Sequence, residues 1–571
     1  MEENLNDEFG EKCQLESMNI SLKEVNTQKK NNRSKFLLLL TTCLIIICIV
    51  VILIVVFATK KGEKEKKCEL GYFIPSNDPK KECHKCSLEN CVECHGNTTY
   101  DICASCNSSF YPSYKNNIIE ICEYCLRGEE EKCFTCSNET DICASCNPYF
   151  ILNEGKCDAN FSIKAKYFTE KKNETLHLIN NKFVQYIEEM VINNKVVEPS
   201  NYFIISSPGN LTVYISINIT EIDSLNQMFK DINKLTSITF YSQFDTKNIK
   251  YMGSMFEDCV SLTSIDISNF NTENTISLYN MFKNCRSLKK LDLSQLKTIN
   301  VEYMNQMFYQ CSNLVSIDVS NFNTKKVKNM KEMFYKCSSL ISLDLSNFNT
   351  ENVIDIENIF SNCASMKFID ISNFHTDKIT STFGMFSGCK NMEVINIPSF
   401  INTTNLRNMN YMFEGCSSLK SLDLSNFNTP NLISMWATFI GCSSLTSLNV
   451  NTLKIEQVTS LMQTFKGCSS LTSLKLNNFK TSNVINMKEM FEGCSSLTSL
   501  DLSSFDTKNI KSNEKLFYGC DKLSYLDISS FSQTIDFSNI FDEDIPTTGK
   551  IKINENISIV KNYLPEGWEI I

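Results

Sequence analysis

The sequence predicts a repeat solenoid of the α/β type, in which each coil has one short strand and one helical or 3₁₀ segment. A 26-residue block recurs about twelve times between residues 223 and 545, which is the main observation. Apolar residues alternate in one half of each block and follow a helical spacing in the other half. One coil cannot bury its own apolar face, so repeats of this length indicate coils that stack around one continuous core.

Cysteines set the register of the repeat, and positions in a coil are counted here from its cysteine at position 0. The spacing is 26 residues except for one interval of 27, between Cys389 and Cys416, and Ile232 replaces the cysteine in a degenerate first copy. The repeat cysteines are Cys259, Cys285, Cys311, Cys337, Cys363, Cys389, Cys416, Cys442, Cys468, Cys494 and Cys520.

The first half of each block predicts the strand. In one copy, Leu340, Leu343 and Leu345 occupy positions 3, 6 and 8, and Phe348 occupies position 11. Alternation of this kind predicts a short strand whose alternate side chains face the core.

The second half predicts the helical segment. Val327, Met330 and Phe334 occupy positions 16, 19 and 23, which is a helical spacing. The threonine at position 13 is predicted to cap the start of this segment, and the glycine at position 25 of several copies is predicted to end it.

The repeat resembles a known family. Its signature, Met-Phe-x-x-Cys-Ser-Ser-Leu-x-Ser-Leu-Asp-Leu-Ser-Asn-Phe-Asn-Thr at residues 333–350, is similar to the BspA-like leucine-rich repeats of surface proteins, and the resemblance covers residues 223–545. It implies a curved, all-solenoid ectodomain used in adhesion or ligand binding, without catalytic residues.

The region before the repeats predicts a membrane anchor. Residues 1–35 are polar and predict a disordered tail, and residues 36–58 carry no charge and are long enough to cross a bilayer once. We expect an uncleaved signal anchor, followed by a linker at residues 59–67. Basic residues are equally numerous on both sides, so the positive-inside rule does not fix the orientation.

Residues 68–157 form a cysteine-rich segment with six Cys-x-x-Cys pairs and an internal duplication of Asp-Ile-Cys-Ala-Ser-Cys-Asn. An even number of cysteines in a core-poor segment predicts disulfides outside the cytosol, and the segment resembles furin-like or growth-factor-receptor modules. Zinc binding is the alternative for a cytosolic location, and a dithiol redox site is a third interpretation. The candidate disulfide cysteines are Cys68, Cys83, Cys86, Cys91, Cys94, Cys103, Cys106, Cys122, Cys125, Cys133, Cys136, Cys143, Cys146 and Cys157.

Glycosylation sequons favour the same orientation, although Asn19 and Asn32 match the pattern before the span. With the cysteines, they predict a single-pass plasma-membrane protein whose C-terminal part is extracellular. The candidate sites are Asn97, Asn107, Asn138, Asn160, Asn173, Asn210, Asn218, Asn402 and Asn556.

Both ends of the solenoid require caps, because an end coil otherwise exposes its apolar face. Residues 158–222 read as a β-rich N-terminal cap with strands near residues 161–168 and 211–219. Residues 546–571 read as a C-terminal cap in which Trp568 covers the last coil.

Composition and motifs exclude several function classes. The net charge of −10 and the absence of a long basic run argue against nucleic-acid binding. The four histidines are scattered, and there is no phosphate-binding loop, His-Glu-x-x-His or Gly-x-Ser-x-Gly motif. We therefore expect neither an enzyme nor a cofactor.

The outward position 7 of the strand is the main candidate site. Carboxylates on adjacent strands lie close enough to repel one another, so the sequence predicts a strip that binds a cationic patch on a partner, or Ca²⁺. The alternative is that these are short, solvated residues hydrogen-bonded to each other. The aspartates are Asp266, Asp292, Asp318, Asp344, Asp370, Asp423, Asp501 and Asp527.

Two further features have a functional and a structural interpretation. Trp436, at the usually polar position 20, is either an exposed binding anchor or partly packed against the next coil. The repeat cysteines could form a reactive series, but their apolar neighbours and parallel stacking predict buried thiols without bridges.

Taken together, the sequence predicts a cell-surface recognition or adhesion protein that binds an extracellular protein or glycan through its solenoid. The alternatives are a structural surface coat, or an intracellular scaffold with zinc-binding Cys-x-x-Cys modules if the topology is reversed.

Overall fold

The computed structural model describes residues 161–398 and 401–571, together with the backbone of short strands between residues 72 and 159. The chain divides into two compact units, residues 1–127 with 135–141 and residues 128–134 with 142–571. The predicted tail, anchor and linker lie outside the described residues. Among the residues that are described, no helix is long and apolar enough to cross a membrane.

Short strands occur in the cysteine-rich segment. Antiparallel pairs form between β1 and β2, between β3 and β4, and between β7 and β8. The β3–β4 register places Cys91 opposite Cys106 and Cys94 opposite Cys103. The strands are β1 (Tyr72–Phe73), β2 (His84–Lys85), β3 (Cys91–Asn97), β4 (Tyr100–Cys106), β5 (Cys133–Cys136), β6 (Cys143–Cys146), β7 (Phe150–Asn153) and β8 (Lys156–Ala159).

An antiparallel sheet precedes the solenoid. Its strands are β9 (Ile163–Thr169), β11 (Ile187–Ile192), β12 (Lys195–Val197) and β14 (Gly209–Ile217). A separate pair is formed by β10 (Thr175–His177) and β13 (Tyr202–Ile204), and a 3₁₀ helix spans Asn181–Tyr186.

This sheet continues into the solenoid without a break. The strand order is β12-β11-β14-β9-β15-β16, where β15 (Leu235–Phe240) and β16 (Ser264–Asp266) belong to the first two coils. β15 pairs antiparallel with β9 and parallel with β16. The edge of the first coil is therefore covered by hydrogen-bonded backbone, which removes an exposed sheet edge.

Later coils repeat the same short parallel strand at positions 5–7. Each pair of neighbouring strands is in register, with Ile369 opposite Ile395 as an example. The strands are β17 (Phe368–Asp370), β18 (Val394–Asn396), β19 (Ser421–Asp423), β20 (Ser447–Asn449), β21 (Ser499–Asp501) and β22 (Tyr525–Asp527).

The far end extends the parallel sheet beyond residue 545. β23 (Thr548–Lys552) pairs with β22, and β24 (Gly567–Ile570) pairs with β23, with a 3₁₀ helix at Glu555–Tyr563 between them. Trp568 is buried, and its indole Nε1 donates to the Pro546 carbonyl at 2.7 Å.

The prediction of a helical segment in each coil is wrong. In the described residues of the solenoid, between 223 and 545, this half of the coil contains turns and no helix. Separate turns close by i→i−3 bonds, such as Cys311 N–H to the Phe308 carbonyl at 3.1 Å. Between them, alternate N–H groups bond to the next coil, as Phe308 does to Met333 at 2.9 Å.

Left-handed residues explain why a helix does not form. The residues five and one before each repeat cysteine, at positions 21 and 25 of a 26-residue coil, have positive φ, for example 55° at Gln306 and 56° at Gln310. A left-handed residue interrupts an α-helix of L-amino acids. The backbone therefore turns its N–H groups toward the neighbouring coil instead of along its own axis.

The threonine at position 13 is not a helix cap, contrary to the prediction. Thr324 is buried, and its hydroxyl donates to the Asn349 carbonyl at 2.9 Å and accepts from the Asn349 N–H at 2.7 Å. The hydroxyl can both donate and accept, so it joins two coils. The same paired bonds are made by Thr246, Thr272, Thr298, Thr350, Thr403 and Thr429.

Two aligned series of side chains fill the core. Thirteen phenylalanine rings, from Phe229 to Phe541, lie nearly parallel with neighbouring centroids 5.4–6.0 Å apart. Beside them, all eleven repeat cysteines are buried and free, which confirms that prediction. Each thiol donates to a phenylalanine carbonyl of the preceding coil, as Cys337 does to Phe308 at 3.1 Å.

Candidate functional site: the strand face

The outer side of the parallel strands is a continuous surface, here called the strand face and defined by positions 4, 5 and 7. Position 6 points into the core, as Leu343 does, whereas Ser342 and Asp344 on either side of it are exposed. This alternation follows from the pleat of a strand. Position 4, one residue before the strand, is exposed as well, as at Ile341.

The eight predicted aspartates lie in one such row at position 7, here called the acidic row. Asp266, Asp292, Asp318, Asp344 and Asp423 are exposed, and Asp370 and Asp501 are half-buried. Asp527 is buried and pairs with Lys552 at 3.0 Å. The C-terminal end of the row is thus neutralised within the protein, and the rest faces solvent.

Each carboxylate of the acidic row has a local structural role. Its Oδ1 accepts the backbone N–H of the serine two residues later in all eight cases, at 2.9 Å from Ser320 to Asp318. Asn449 makes the equivalent bond to the N–H of Asn451 at 3.3 Å. Position 7 therefore selects a side chain that can form an Asx turn.

These hydrogen bonds also stabilise the charged form of the aspartates. The backbone and side chain of Ser346 donate to Asp344 and hold the pKa of its carboxyl below the usual value. Ser294 has the same effect on the pKa of Asp292. Asp292 and Asp344 are consequently ionised at neutral pH.

Calcium binding by the acidic row stays a prediction. Within residues 161–398 and 401–571, no three His, Cys, Asp or Glu side chains come together as a group that could hold a metal ion.

Trp436 is half-buried and packs against the preceding coil. Its ring lies 4.9 Å from that of Tyr411, which in turn lies 5.5 Å from Phe383. Its backbone N–H donates to Asn410 Oδ1 at 2.7 Å, whereas the indole Nε1 is buried and makes no hydrogen bond in this part of the chain. The contact is with the preceding coil, whereas the structural interpretation of Trp436 expected packing against the next coil, and a role as a binding anchor stays a prediction.

A second row on the strand face was missed in the sequence. Val315, Ile341, Phe368 and Val394 occupy position 4 or 5 of four consecutive coils and are 41%, 55%, 51% and 52% exposed. These four residues are here called the apolar row. Most other coils have threonine at position 4 and serine at position 5. The departure of these four residues from that pattern is the signal by which the sequence alone could have revealed the row.

The remaining candidate residues divide between described and undescribed parts of the chain. Among the sequons, Asn173, Asn210, Asn218, Asn402 and Asn556 are exposed. The side chains of Asn97, Asn107, Asn138, Asn160 and of the fourteen candidate disulfide cysteines lie outside the described residues.

Comparison with known proteins assigns the chain to a family. The family model described as "Mycoplasma protein of unknown function, DUF285" matches in five overlapping segments: residues 210–316, 276–396, 304–427, 355–449 and 433–552. The segments span more than half of the chain, so the protein belongs to this family. No curated protein matches the sequence.

Solved structures similar to this chain include leucine-rich-repeat proteins of two bacteria. One, from Eubacterium ventriosum, is 17% identical, with coverage of 48% of this chain and 84% of the other and a TM-score of 0.28. One from Leptospira interrogans is 14% identical, with coverage of 58% and 91% and a TM-score of 0.21. TM-scores this low support no transfer of function.

Proposed function

We propose that this protein is a non-enzymatic recognition protein that binds an extracellular protein or glycan through the strand face. The apolar row is the observation that carries the proposal, because large apolar side chains exposed on consecutive coils have no role inside the fold. The adjoining acidic row supplies charge next to it. Many protein interfaces have an apolar centre that is surrounded by polar and charged residues.

We also propose that the solenoid is displayed at the cell surface by the anchor at residues 36–58. The BspA-like signature, the sequons and the cysteine-rich segment support this placement. Exposure of Asn173, Asn210 and Asn402 is compatible with glycosylation. In this arrangement the cysteine-rich segment is disulfide-bonded and holds the solenoid away from the membrane.

Protease protection on sealed cells tests the location. We expect external protease to remove the part of the chain after residue 58, and a glycosidase to reduce its mass. If only residues 1–35 were digested and no sugar were present, the solenoid would be cytosolic. The cysteine-rich modules would then be assigned to zinc, and the protein to an intracellular scaffold.

A triple variant tests whether the acidic row takes part in binding. Replacing Asp318, Asp344 and Asp370 by asparagine removes three charges, while the turns persist because Asn449 already forms one. We expect weaker binding of the full-length protein to its target cells, with an unchanged melting temperature. Unchanged binding would remove the acidic row from the site, and calorimetric titration of the same variant with Ca²⁺ would settle its affinity for the cation.

A further inference from the structure

The apolar row consists of two side-by-side pairs in four neighbouring coils, the first pair at position 4 and the second at position 5. The N–H of Ile341 donates to the Val315 carbonyl at 3.2 Å, so these two residues lie side by side. Phe368 is directly opposite Val394 in the β17–β18 register. Neighbouring strands are about 4.8 Å apart, so the four side chains extend over about 15 Å.

Charge is distributed unevenly around the apolar row. Along one side, two or three residues further along each chain segment, lie Asp318, Asp344 and Asp370, and the pKa of each is lowered by hydrogen bonds from the serine two residues later. At the C-terminal end, Glu393 is paired with Lys367 at 3.8 Å and with Lys420 at 3.2 Å, which neutralises the Glu393 carboxylate. The side of the row is therefore acidic along its first three coils, and the fourth coil has the neutral Asn396 there.

The spacing of the row indicates the shape of the partner. In an extended peptide, side chains on one face recur about every 6.6 Å, which does not match a spacing of about 4.8 Å. An α-helix places one residue per turn on a given face at intervals of about 5.4 Å. Three to four helical turns thus present apolar residues that coincide with the four coils.

We propose that the apolar row and the adjoining part of the acidic row bind an amphipathic α-helix of a partner protein. One stripe of that helix is apolar, and the flank next to Asp318, Asp344 and Asp370 carries lysine or arginine. Helices of this kind bind in apolar grooves through side chains at helical spacing. The inference rests on the proposed function and specifies the class of its ligand.

The test uses the full-length protein and two synthetic helical peptides of sixteen residues. One has a leucine stripe flanked by lysines, and the other has glutamate in place of each lysine. The test variant carries V315T, I341T, F368S and V394S, which restore the residues found in most other coils. The control variant carries I354T, I433T and I485T, which change exposed isoleucines at position 17, where other coils have Thr380 and Thr459.

We expect the lysine peptide to bind, with the test variant at least about tenfold weaker and the control variant unchanged in fluorescence anisotropy. The glutamate peptide should bind at least about tenfold more weakly than the lysine peptide. Equal binding of the two peptides, an unaffected test variant, or an equally weakened control variant would each overturn the inference.

Three further outcomes separate this inference from the proposed function. If the wild-type protein self-associates in sedimentation velocity and the test variant is monomeric, the row binds a second copy and the helix assignment fails. If the test variant still binds target cells as the wild type does, the inference fails and the recognition function stands. If the wild type binds neither cells nor isolated surface proteins, the proposed function fails as well.

Discussion

Single residues of the repeat act mainly as hydrogen-bonding elements between coils. The thiols are the clearest case, because each donates to a carbonyl of the preceding coil at 3.0–3.3 Å. The sequence predicted buried, unbridged thiols from their apolar neighbours. It did not predict the bond, since cysteine is only a weak donor and gives no pattern that marks a partner.

Burial should make the repeat thiols chemically inert. It raises the pKa of Cys311 to about 12, so at about pH 8 only about one thiol in ten thousand is ionised. We expect iodoacetamide to leave Cys311 and Cys442 unmodified in the folded protein and to label both in denaturant, as read by peptide mass spectrometry. Rapid labelling of either residue in the folded protein would show that the coil opens locally or that the thiol is exposed.

The contribution of Glu489 to the free energy of unfolding should depend on pH in the acid range. Burial opposes its ionisation, but hydrogen bonds from Gln463 at 2.7 Å and Lys466 at 2.6 Å outweigh this and lower its pKa from 4.5 to about 2. Since the folded pKa is the lower one, the stabilisation is complete above the unfolded pKa and is lost as the pH falls from about 4.5 to about 2.

The comparison with E489Q isolates this contribution. We expect the difference in unfolding free energy between wild type and variant to be largest near neutral pH and to shrink steadily below about pH 4.5. Urea unfolding at a series of pH values measures it. A difference that does not change with pH would mean that Glu489 acts through packing instead of charge.

At the scale of the element, the strand half of the coil was predictable and the turn half was not. Alternation over Leu340, Leu343 and Leu345 identified inward positions that the structure buries. The spacing of Val327, Met330 and Phe334 suggested a helix, although it arises from successive turns that each bring an apolar residue inward. The left-handed backbone at position 21 could not be predicted from the sequence, because the residues there, such as Gln306 and Glu332, are also common on helix surfaces.

Removing the hydroxyl of a threonine at position 13 should lower the free energy of unfolding. In T324V, the partly buried N–H and carbonyl of Asn349 lose their partner, which should lower the free energy of unfolding by about 1–3 kcal/mol. T324S keeps a hydroxyl and should cost less than T324V. Urea unfolding of both variants measures the difference, and equal stability of the two would mean that the paired bonds contribute little. Ile455 at the equivalent position shows that a single coil tolerates the loss.

At the scale of the whole molecule, one apolar core runs from Ile163 in the antiparallel sheet to Trp568 beyond the last repeat. Repeat counting predicted the number of coils. The repeat cysteines and phenylalanines end before β23, although the sheet continues through β23 and β24. Ile551 occupies the inward place in β23. The repeat period reveals only the regular features of the chain. The apolar row departs from the period, so it was recognised as a surface only in the three-dimensional structure.

Because each coil contacts only its neighbours, removal of one whole period should leave a shorter but intact solenoid. Deleting residues 443–468 joins Cys442 to Ser469 and recreates the Cys-Ser-Ser-Leu sequence at the junction. Phe439 can then stack on Phe491, which takes the place of Phe465. Deleting only residues 443–466 shifts every following side chain by two positions relative to the preceding coils.

We expect the 26-residue deletion to unfold cooperatively in urea with a slightly smaller m-value, since less surface is exposed on unfolding. The 24-residue deletion should lose much of its cooperativity, because the phenylalanine stack and the thiol–carbonyl bonds no longer align across the junction. If both deletions were equally damaging, stability would depend on contacts beyond nearest neighbours. The period itself would then not be the unit of folding.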